Sequence, residues 1–302
     1  MRTCRLRTVY DLSGIGVLES TVLLQAHGVD ARLVPESRLL VMEDMRVTGR
    51  GDNGDVRVTG RNVERILKGK PMLLQLDASL ECENSDDATA HRSELEARTA
   101  EAESVISWAL PHVVREKLAD SLYTRLDDDP PDTWSWFDMS RFSTSEYYED
   151  PTQLIQRCES FEKSLDGLSD SHRDLVLTAL RWWRYGWNLD SAADETVAFW
   201  ISIESSSCVV SGATSARQRA LDALATAFPE LASQNEGRRI RDMRDVLYNA
   251  RCATVHSGRR EYSVRGSIFT LAEAAASACI RLAVDGHSTA TPTDQLLDSF
   301  GI

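Results

Sequence analysis

The sequence predicts an α+β protein in which an N-terminal mixed β/α region precedes an all-α helical bundle. Two observations support this fold class. Roughly the first 80 residues contain short runs in which apolar and polar residues alternate, as is typical of strands. After about residue 168, apolar residues recur at helical spacing and are bracketed by helix caps. We therefore expect two domains, residues 1–166 and residues 167–302.

The N-terminal region contains a predicted hairpin and a predicted helix. The runs Val56–Thr59 and Met72–Leu80 alternate as strands do. The segment Arg50–Asp55 is rich in Gly, Asn and Asp, which favours a tight turn between strands. Helical spacing then extends from Ala88 to Leu110. The aromatic segment Trp134–Pro151 predicts an irregular packing loop.

Five helices are predicted in the C-terminal half, each from an apolar stripe and a cap or breaker. Serines precede three of them, and glycines follow the last two. The predicted helices run from Ser169 or Asp170 to about Asn188, from Ser191 onward, from about Ser215 to Ala227, from about Gly237 to His256, and from about Ser267 to Asp285.

The composition is that of a globular protein with an acidic charge balance. The 302 residues include 34 Lys and Arg against 47 Asp and Glu, a formal net charge of -13. This balance argues against a protein that simply coats nucleic acid. No run reaches the roughly 18 apolar residues of a membrane helix, so we expect no membrane contact. The six cysteines are scattered without metal-ligand spacing. We therefore expect no metal, no cofactor, no disulfide framework and a cytoplasmic location.

Two charged residues fall on predicted apolar stripes. On an ideal helix, Arg251 lies about 20° from Ile240, in the same stripe as Met243 and Leu247. Glu204 falls among apolar positions on the second helix of the bundle. An unpaired buried charge costs on the order of several kcal/mol. Such residues are therefore paired, functional, or long enough to reach water. We predict that Glu204 pairs with an arginine of the helix 237–256, with Arg251 as the first candidate.

His256 ends the predicted helix 237–256, where the helix C-terminus stabilises a protonated imidazole. Between residues 238 and 265 the chain has eight Arg and three acidic residues, a basic patch on an acidic protein. An imidazole can accept the 2′-hydroxyl proton of RNA, and a guanidinium can stabilise the charge on phosphorus, without a metal. We expect RNA to bind arginines of this patch, namely Arg238, Arg239, Arg241, Arg244, Arg259 and Arg260.

These residues resemble the signature of HEPN domains, in which an arginine is followed a few residues later by a histidine on a helix of an all-α bundle. Here four residues separate Arg251 from His256. The approach Tyr248–Asn249 and the exit Ser257–Gly258 are similar to the Apea-like branch of that superfamily. The stretch Trp200–Glu204 is similar to the aromatic–aliphatic–Glu stretch of the same branch.

The resemblance covers about Leu168 to Gly286, under half of the chain. It implies a metal-independent endoribonuclease that acts as a homodimer through the C-terminal bundle, with Arg251 and His256 as catalytic residues of a composite site. On an ideal helix these two residues are about 140° apart, so one chain does not present both on one face. The supporting residues that the resemblance implies are Glu204, Tyr248, Asn249 and Cys252.

Three functions stay open on the sequence. The leading one is the ribonuclease, serving as a toxin or phage-defence effector. Residues 1–166 would then sense or gate, and an antitoxin or sensor protein would be a further partner. The second is a non-catalytic HEPN scaffold that binds RNA, a nucleotide or a partner protein. Cys252 favours this reading, because many active members have a polar residue there. The third is a purely structural helical domain, in which Arg251 has no function.

Overall fold

The structure is a computed structural model, and it describes most of the chain. The described residues are 2–12, 21–50, 56–82, 85–110, 114–123, 133–136, 151–189, 191–233, 237–257, 268–286 and 297.

The described residues form six strands and eight helices. The strands are β1 (Arg2–Leu12), β2 (Val22–Ala26), β3 (Val29–Arg50), β4 (Val56–Cys82), β5 (Val114–Tyr123) and β6 (Thr133–Trp136). The helices are α1 (Ser85–Ala109), α2 (Pro151–Asp166), α3 (Asp170–Trp187), α4 (Ala192–Val210), α5 (Ala216–Ala227), α6 (Pro229–Ser233), α7 (Arg238–Ser257) and α8 (Ile268–Asp285). Among the parts of the chain that are described, no helix has the length and apolar character needed to cross a membrane.

The chain divides into two compact units, residues 1–159 and residues 160–302. The first contains the antiparallel sheet with α1, and the second is helical. The predicted α+β class with a helical C-terminal half is therefore confirmed. The division falls inside α2, whereas the sequence predicted a boundary between residues 166 and 167.

The first unit is built on one antiparallel sheet with strand order β2-β3-β4-β1-β5-β6. The register places Leu6, Leu33 and Leu76 on one face, and all three are buried. Helix α1 packs against β1 and β4 and buries Leu95 and Ile106. This face of the sheet and the apolar stripe of α1 form one part of the core, and Val9, Val34 and Leu73 form a second buried cluster on the opposite face.

The opposite face of the sheet contains a buried polar chain. The Arg7 Nε lies 2.7 Å from the Asp77 Oδ1, and Asp77 is 7% exposed. Gln75 donates to Asp77 at 2.8 Å, and Ser37 donates to Gln75 at 2.9 Å. The β3–β4 register shifts just after Val34, between the Arg32–Gln75 pair and Ser37. These hydrogen bonds compensate for the burial of the Asp77 carboxylate.

One cysteine departs from the expectation of reduced thiols. Cys4, near the start of β1, is disulfide-bonded. Among the other described cysteines, Cys158, Cys208, Cys252 and Cys279 are free thiols. The sequence led us to expect no disulfide framework, and the disulfide at Cys4 is one bond that this expectation did not foresee.

The second unit is organised around α4. This helix packs against α3, α5, α7 and α8, and α8 also contacts α3 and α5. The largest side chains of α4, Phe199, Trp200 and Ile203, are at most 1% exposed. Ser202 is fully buried and donates to the backbone carbonyl of Ala179 on α3 at 2.8 Å. Small residues at this crossing let α3 and α4 approach closely.

The predicted helix boundaries agree with the structure where caps define them. Ser169, Ser191 and Ser215 each accept a hydrogen bond from the backbone N–H three residues later, at 3.4, 3.5 and 3.2 Å. These are the N-caps of α3, α4 and α5. Gly286 follows α8 with a φ of 74°, a conformation that suits glycine.

Some elements of the first unit differ from the sequence prediction. The runs predicted as two strands both belong to β4, which pairs with β3 through Val47 and Val58. The predicted turn at 51–55 lies outside the described residues, as does most of the predicted aromatic loop. Helix α2 was not predicted, although its buried residues Leu154, Cys158, Phe161 and Leu165 have helical spacing. Strand β5 was also not predicted.

The crossing of α3 and α4 leads to a stability prediction. A Cβ added at Gly186 would lie 2.7 Å from Cε1 and 2.9 Å from Cζ of Phe199, whose ring is buried. Gly186→Ala should therefore destabilise the protein by about 1–3 kcal/mol through overpacking. This loss exceeds the gain of about 1 kcal/mol from alanine's helix propensity.

Thermal unfolding of the full chain, followed by the loss of helical circular dichroism, measures this effect. Gly212→Ala is the matched control, because a Cβ there meets nothing within 4 Å. A melting temperature for Gly186→Ala at or above that of the control would contradict the packing described.

Candidate functional site

The motif residues lie at different depths on α7. Ile240, Met243 and Leu247 are at most 2% exposed and face the bundle, as the helical wheel predicts. Arg251, two turns beyond Met243 toward the C-terminal end of the helix, is half-buried. His256 is exposed in the last turn. The two predicted catalytic side chains therefore occupy different environments of one helix.

Arg251 has an unused hydrogen-bond donor. Its Nε is buried and has no acceptor among the described residues. Glu204, half-buried on α4, forms no ion pair with it within 4.0 Å. The predicted Glu204–Arg251 pair is therefore wrong. Each residue as a whole keeps contact with water, so neither charge requires the other for compensation.

The aromatic ring of Tyr248 on α7 contacts residues from two other helices. Trp200 of α4, which is 0% exposed, meets it edge-to-face with ring centroids 5.7 Å apart. The guanidinium carbon of Arg217, on α5, lies 5.5 Å from the centre of the same ring. We call Trp200, Arg217, Asp245 and Tyr248 the Tyr248 cluster. It joins the three helices α4, α5 and α7 beside Arg251.

Asp245 completes the cluster by pairing with two arginines. Its Oδ1 accepts from the Arg217 Nη2 at 2.7 Å and from the Arg244 Nη2 at 2.6 Å. Burial tends to raise the pKa of Asp245, but the hydrogen bonds from Arg217 and Arg244 outweigh it and hold that pKa below its ordinary value. The hydrogen bond with Asp245 in turn raises the pKa of Arg217.

Cys252 is one helical turn beyond Tyr248, and the two side chains interact. A hydrogen bond between the Tyr248 phenol and the Cys252 thiol raises the pKa of Tyr248, while the nearby Arg251 and Arg217 charges oppose that rise. Cys252 is half-buried, and Asn249, three residues before it on α7, is exposed. The polar helper position of the resemblance is thus occupied by a thiol that already has a partner.

The described arginines that were predicted to bind RNA differ in exposure. Arg238 has a 77% exposed side chain and lies 3.6 Å from Asp242. Arg241 is exposed and Arg239 is half-buried. Arg244 is only 8% exposed and is bound to Asp245, so its role as an exposed RNA contact is not supported. Arg259 and Arg260 lie outside the described residues.

Sequence reasoning missed Arg217. It is in the first turn of α5, where the helix dipole disfavours a cation, and no acidic residue accompanies it there. That unfavourable placement is the signal that could have identified it. The tertiary contact with Tyr248 could not be read from any single helix.

A cleft in the first unit is another candidate site. It is a cleft of about 410 Å³ between the β2–β3 edge and α2. Its lining includes the apolar Leu23 and Ile155 and the charged Asp30, Arg32 and Glu159. Within the residues that the structure describes, no three His, Cys, Asp or Glu side chains are grouped to hold a metal ion. The Tyr248 cluster, beside two buried donors without acceptors, is the stronger candidate site.

Comparisons with known proteins give no match for this chain, whether with family models, curated proteins or solved structures.

The Asp245 ion pairs lead to a prediction about acid stability. The folded pKa of Asp245 is below its ordinary value of 3.8, so its contribution is present above that pH and is lost as pH falls through the lowered value. Asp245→Asn should therefore reduce the free energy of unfolding at about pH 7, and the difference from wild type should shrink by about pH 3.

Urea unfolding of the full chain at both pH values measures this difference. Asp174→Asn is the control, because it removes an exposed carboxylate of α3 that has no ion pair among the described residues. An Asp245→Asn deficit that stays constant or grows on acidification would mean that the pairs with Arg217 and Arg244 do not stabilise the fold.

Proposed function

We propose that the second unit acts as a metal-independent endoribonuclease of the HEPN type. The observation on which this rests is the state of Arg251, a half-buried arginine with a buried, unpaired Nε donor at the edge of an otherwise apolar helix stripe. Burying such a donor without an acceptor costs about 1–3 kcal/mol. The residue as a whole keeps contact with water, and an incoming phosphate oxygen would supply its guanidinium with an acceptor.

The chemistry follows from the two side chains of the motif. His256 is exposed and free to accept the 2′-hydroxyl proton of a bound ribose as a general base. The deprotonated 2′-oxygen attacks the adjacent phosphorus, the bond to the 5′-oxygen breaks, and that oxygen takes up a proton. Arg251 stabilises the negative charge that develops on the phosphoryl oxygens. The products are a 2′,3′-cyclic phosphate and a 5′-hydroxyl.

A second copy of the chain is part of this proposal. Arg251 and His256 differ in direction on α7 by about 140° and differ in exposure. Exposed apolar side chains are available for association: Val255, next to His256, is 51% exposed, and Tyr185 and Trp187 of α3 are 50% and 41% exposed. In a homodimer, the motif of one copy would supply the group that the other lacks.

One observation favours the alternative, a non-catalytic HEPN scaffold that binds RNA, a nucleotide or a partner protein. The Cys252 side chain interacts with Tyr248 and does not provide a polar group beside Arg251. Under either function, a role as a toxin or phage-defence effector is part of the proposal, with the first unit as sensor or gate and an antitoxin or sensor protein as partner.

The first functional prediction concerns catalysis. Purified full-length protein should cleave single-stranded RNA in the presence of EDTA and leave cyclic phosphate ends. His256→Ala should reduce the rate by about 10²–10⁴, because the general base is lost. Arg251→Ala should have a comparable effect, because the transition-state charge is no longer neutralised. DNA, which lacks the attacking hydroxyl, should not be cut.

Gel analysis of labelled RNA measures these rates, and His172→Ala is the control, an exposed histidine on α3. RNA cleavage that needs an added metal and survives His256→Ala would place the active site elsewhere. Tight RNA binding by wild type without any cleavage would favour the scaffold.

The second functional prediction concerns assembly. The chain should be a homodimer at tens of micromolar, and Val255→Glu should shift it toward monomer, because a charge next to His256 would face the second copy. Light scattering measures the mass. Leu23→Glu, at a 67% exposed position in the first unit, is the control. A wild-type chain that is strictly monomeric, with or without RNA, would refute the composite site.

A further inference from the structure

Arg217 lies where a cation is disfavoured by its own helix. It is the second residue of α5, in the turn where the positive end of the helix dipole disfavours a cation. Asp245 takes one of its N–H groups, yet its side chain stays 55% exposed. The other N–H groups of the Arg217 guanidinium form no hydrogen bond with the described residues. An exposed arginine over an aromatic ring, with donors to spare, is suited to bind an anion.

Two buried donors beside the same ring also lack acceptors. Trp200, whose ring meets Tyr248, is 0% exposed, and its Nε1 has no acceptor among the described residues. Arg251, whose charge acts on Tyr248, has a buried Nε in the same state. Unpaired buried donors are unfavourable in folded proteins, so both positions favour a further acceptor near the ring.

The charges around the ring have the same sign. Arg217 lies over the Tyr248 ring and the Arg251 charge acts on its phenol, while Arg244 pairs with Asp245. The N-terminus of α5 adds the positive end of its dipole. Together these positive charges favour an anionic group near Tyr248.

We propose that Arg217 and Arg251 together bind a phosphodiester group of single-stranded RNA across Tyr248. This inference rests on the proposed ribonuclease function and assigns a substrate-binding residue to it from a helix outside the motif. The RNA strand then passes from the motif toward the start of α5. It does not follow the first turns of α7, where Arg238 faces Asp242 and Arg244 is buried.

The experiment measures binding separately from cleavage. A fluorescent 2′-O-methyl RNA oligonucleotide, which has no attacking hydroxyl, is titrated with the full chain at several salt concentrations. Arg217→Gln should weaken binding about tenfold at low salt. It should also reduce the slope of log affinity against log salt by about 0.7, the value for one phosphate contact on a single strand. Arg217→Lys should restore part of the affinity, because it keeps the charge but not the fork.

Two variants separate phosphate binding from a structural role. Arg181→Gln removes an exposed arginine of α3 and should leave affinity and slope unchanged. Asp245→Asn breaks the same ion pair as Arg217→Gln but leaves the arginine free, so it should keep or raise RNA affinity. Should Asp245→Asn weaken binding as much as Arg217→Gln does, Arg217 is only structural and the proposal is overturned.

The remaining outcomes also decide between the two proposals. If wild type cleaves RNA and the Arg217→Gln variant has the same RNA affinity and the same KM as wild type, the role of Arg217 is overturned and the ribonuclease proposal stands. Binding that depends on Arg217, by a wild type that never cleaves, supports the phosphate site and refutes the ribonuclease. No RNA binding by wild type refutes both.

Discussion

The contact between Trp200 of α4 and Tyr248 of α7 is the interaction on which the candidate site depends. Trp200 is fully buried in the helix that packs against α3, α5, α7 and α8. The Trp200 and Tyr248 rings pack edge-to-face, with centroids 5.7 Å apart, and this contact holds the Tyr248 ring in place. Arg217 then lies on that ring, and Arg251 follows Tyr248 by one turn. Core packing therefore determines where the two arginine charges lie relative to each other.

The ion pairs at Asp245 explain how several arginines can gather at one place. A cluster of cations repels itself unless a carboxylate or a ligand intervenes. Asp245 neutralises part of that charge by bridging Arg217 and Arg244, and this bridge also holds α5 against α7. Arg251 does not share the bridge and keeps an unpaired donor. The same arrangement thus stabilises the fold and leaves one arginine available for a ligand.

Local signals allowed the helical unit to be predicted, and tertiary contacts limited the prediction of the site. Serine caps such as Ser191 define helix starts within a few residues of sequence, so α3, α4 and α5 were predicted correctly. Strand β5 was not, because its buried Asp120 and Ser121 obscure apolar alternation. Arg217 was missed because its partner Tyr248 is on another helix. The expected Glu204–Arg251 pair is not formed. A helical wheel places both side chains among buried residues, whereas both keep contact with water in the bundle.

The central claim is that Arg251 and His256 of two copies form one catalytic site. Mixing Arg251→Ala protein with His256→Ala protein, after denaturation and joint refolding to exchange subunits, tests it most directly. Mixed dimers retain one intact arginine and one intact histidine, contributed by different chains, so the mixture should cleave RNA in EDTA although each variant alone does not. A mixture that forms dimers and stays as inactive as its parts would contradict the claim.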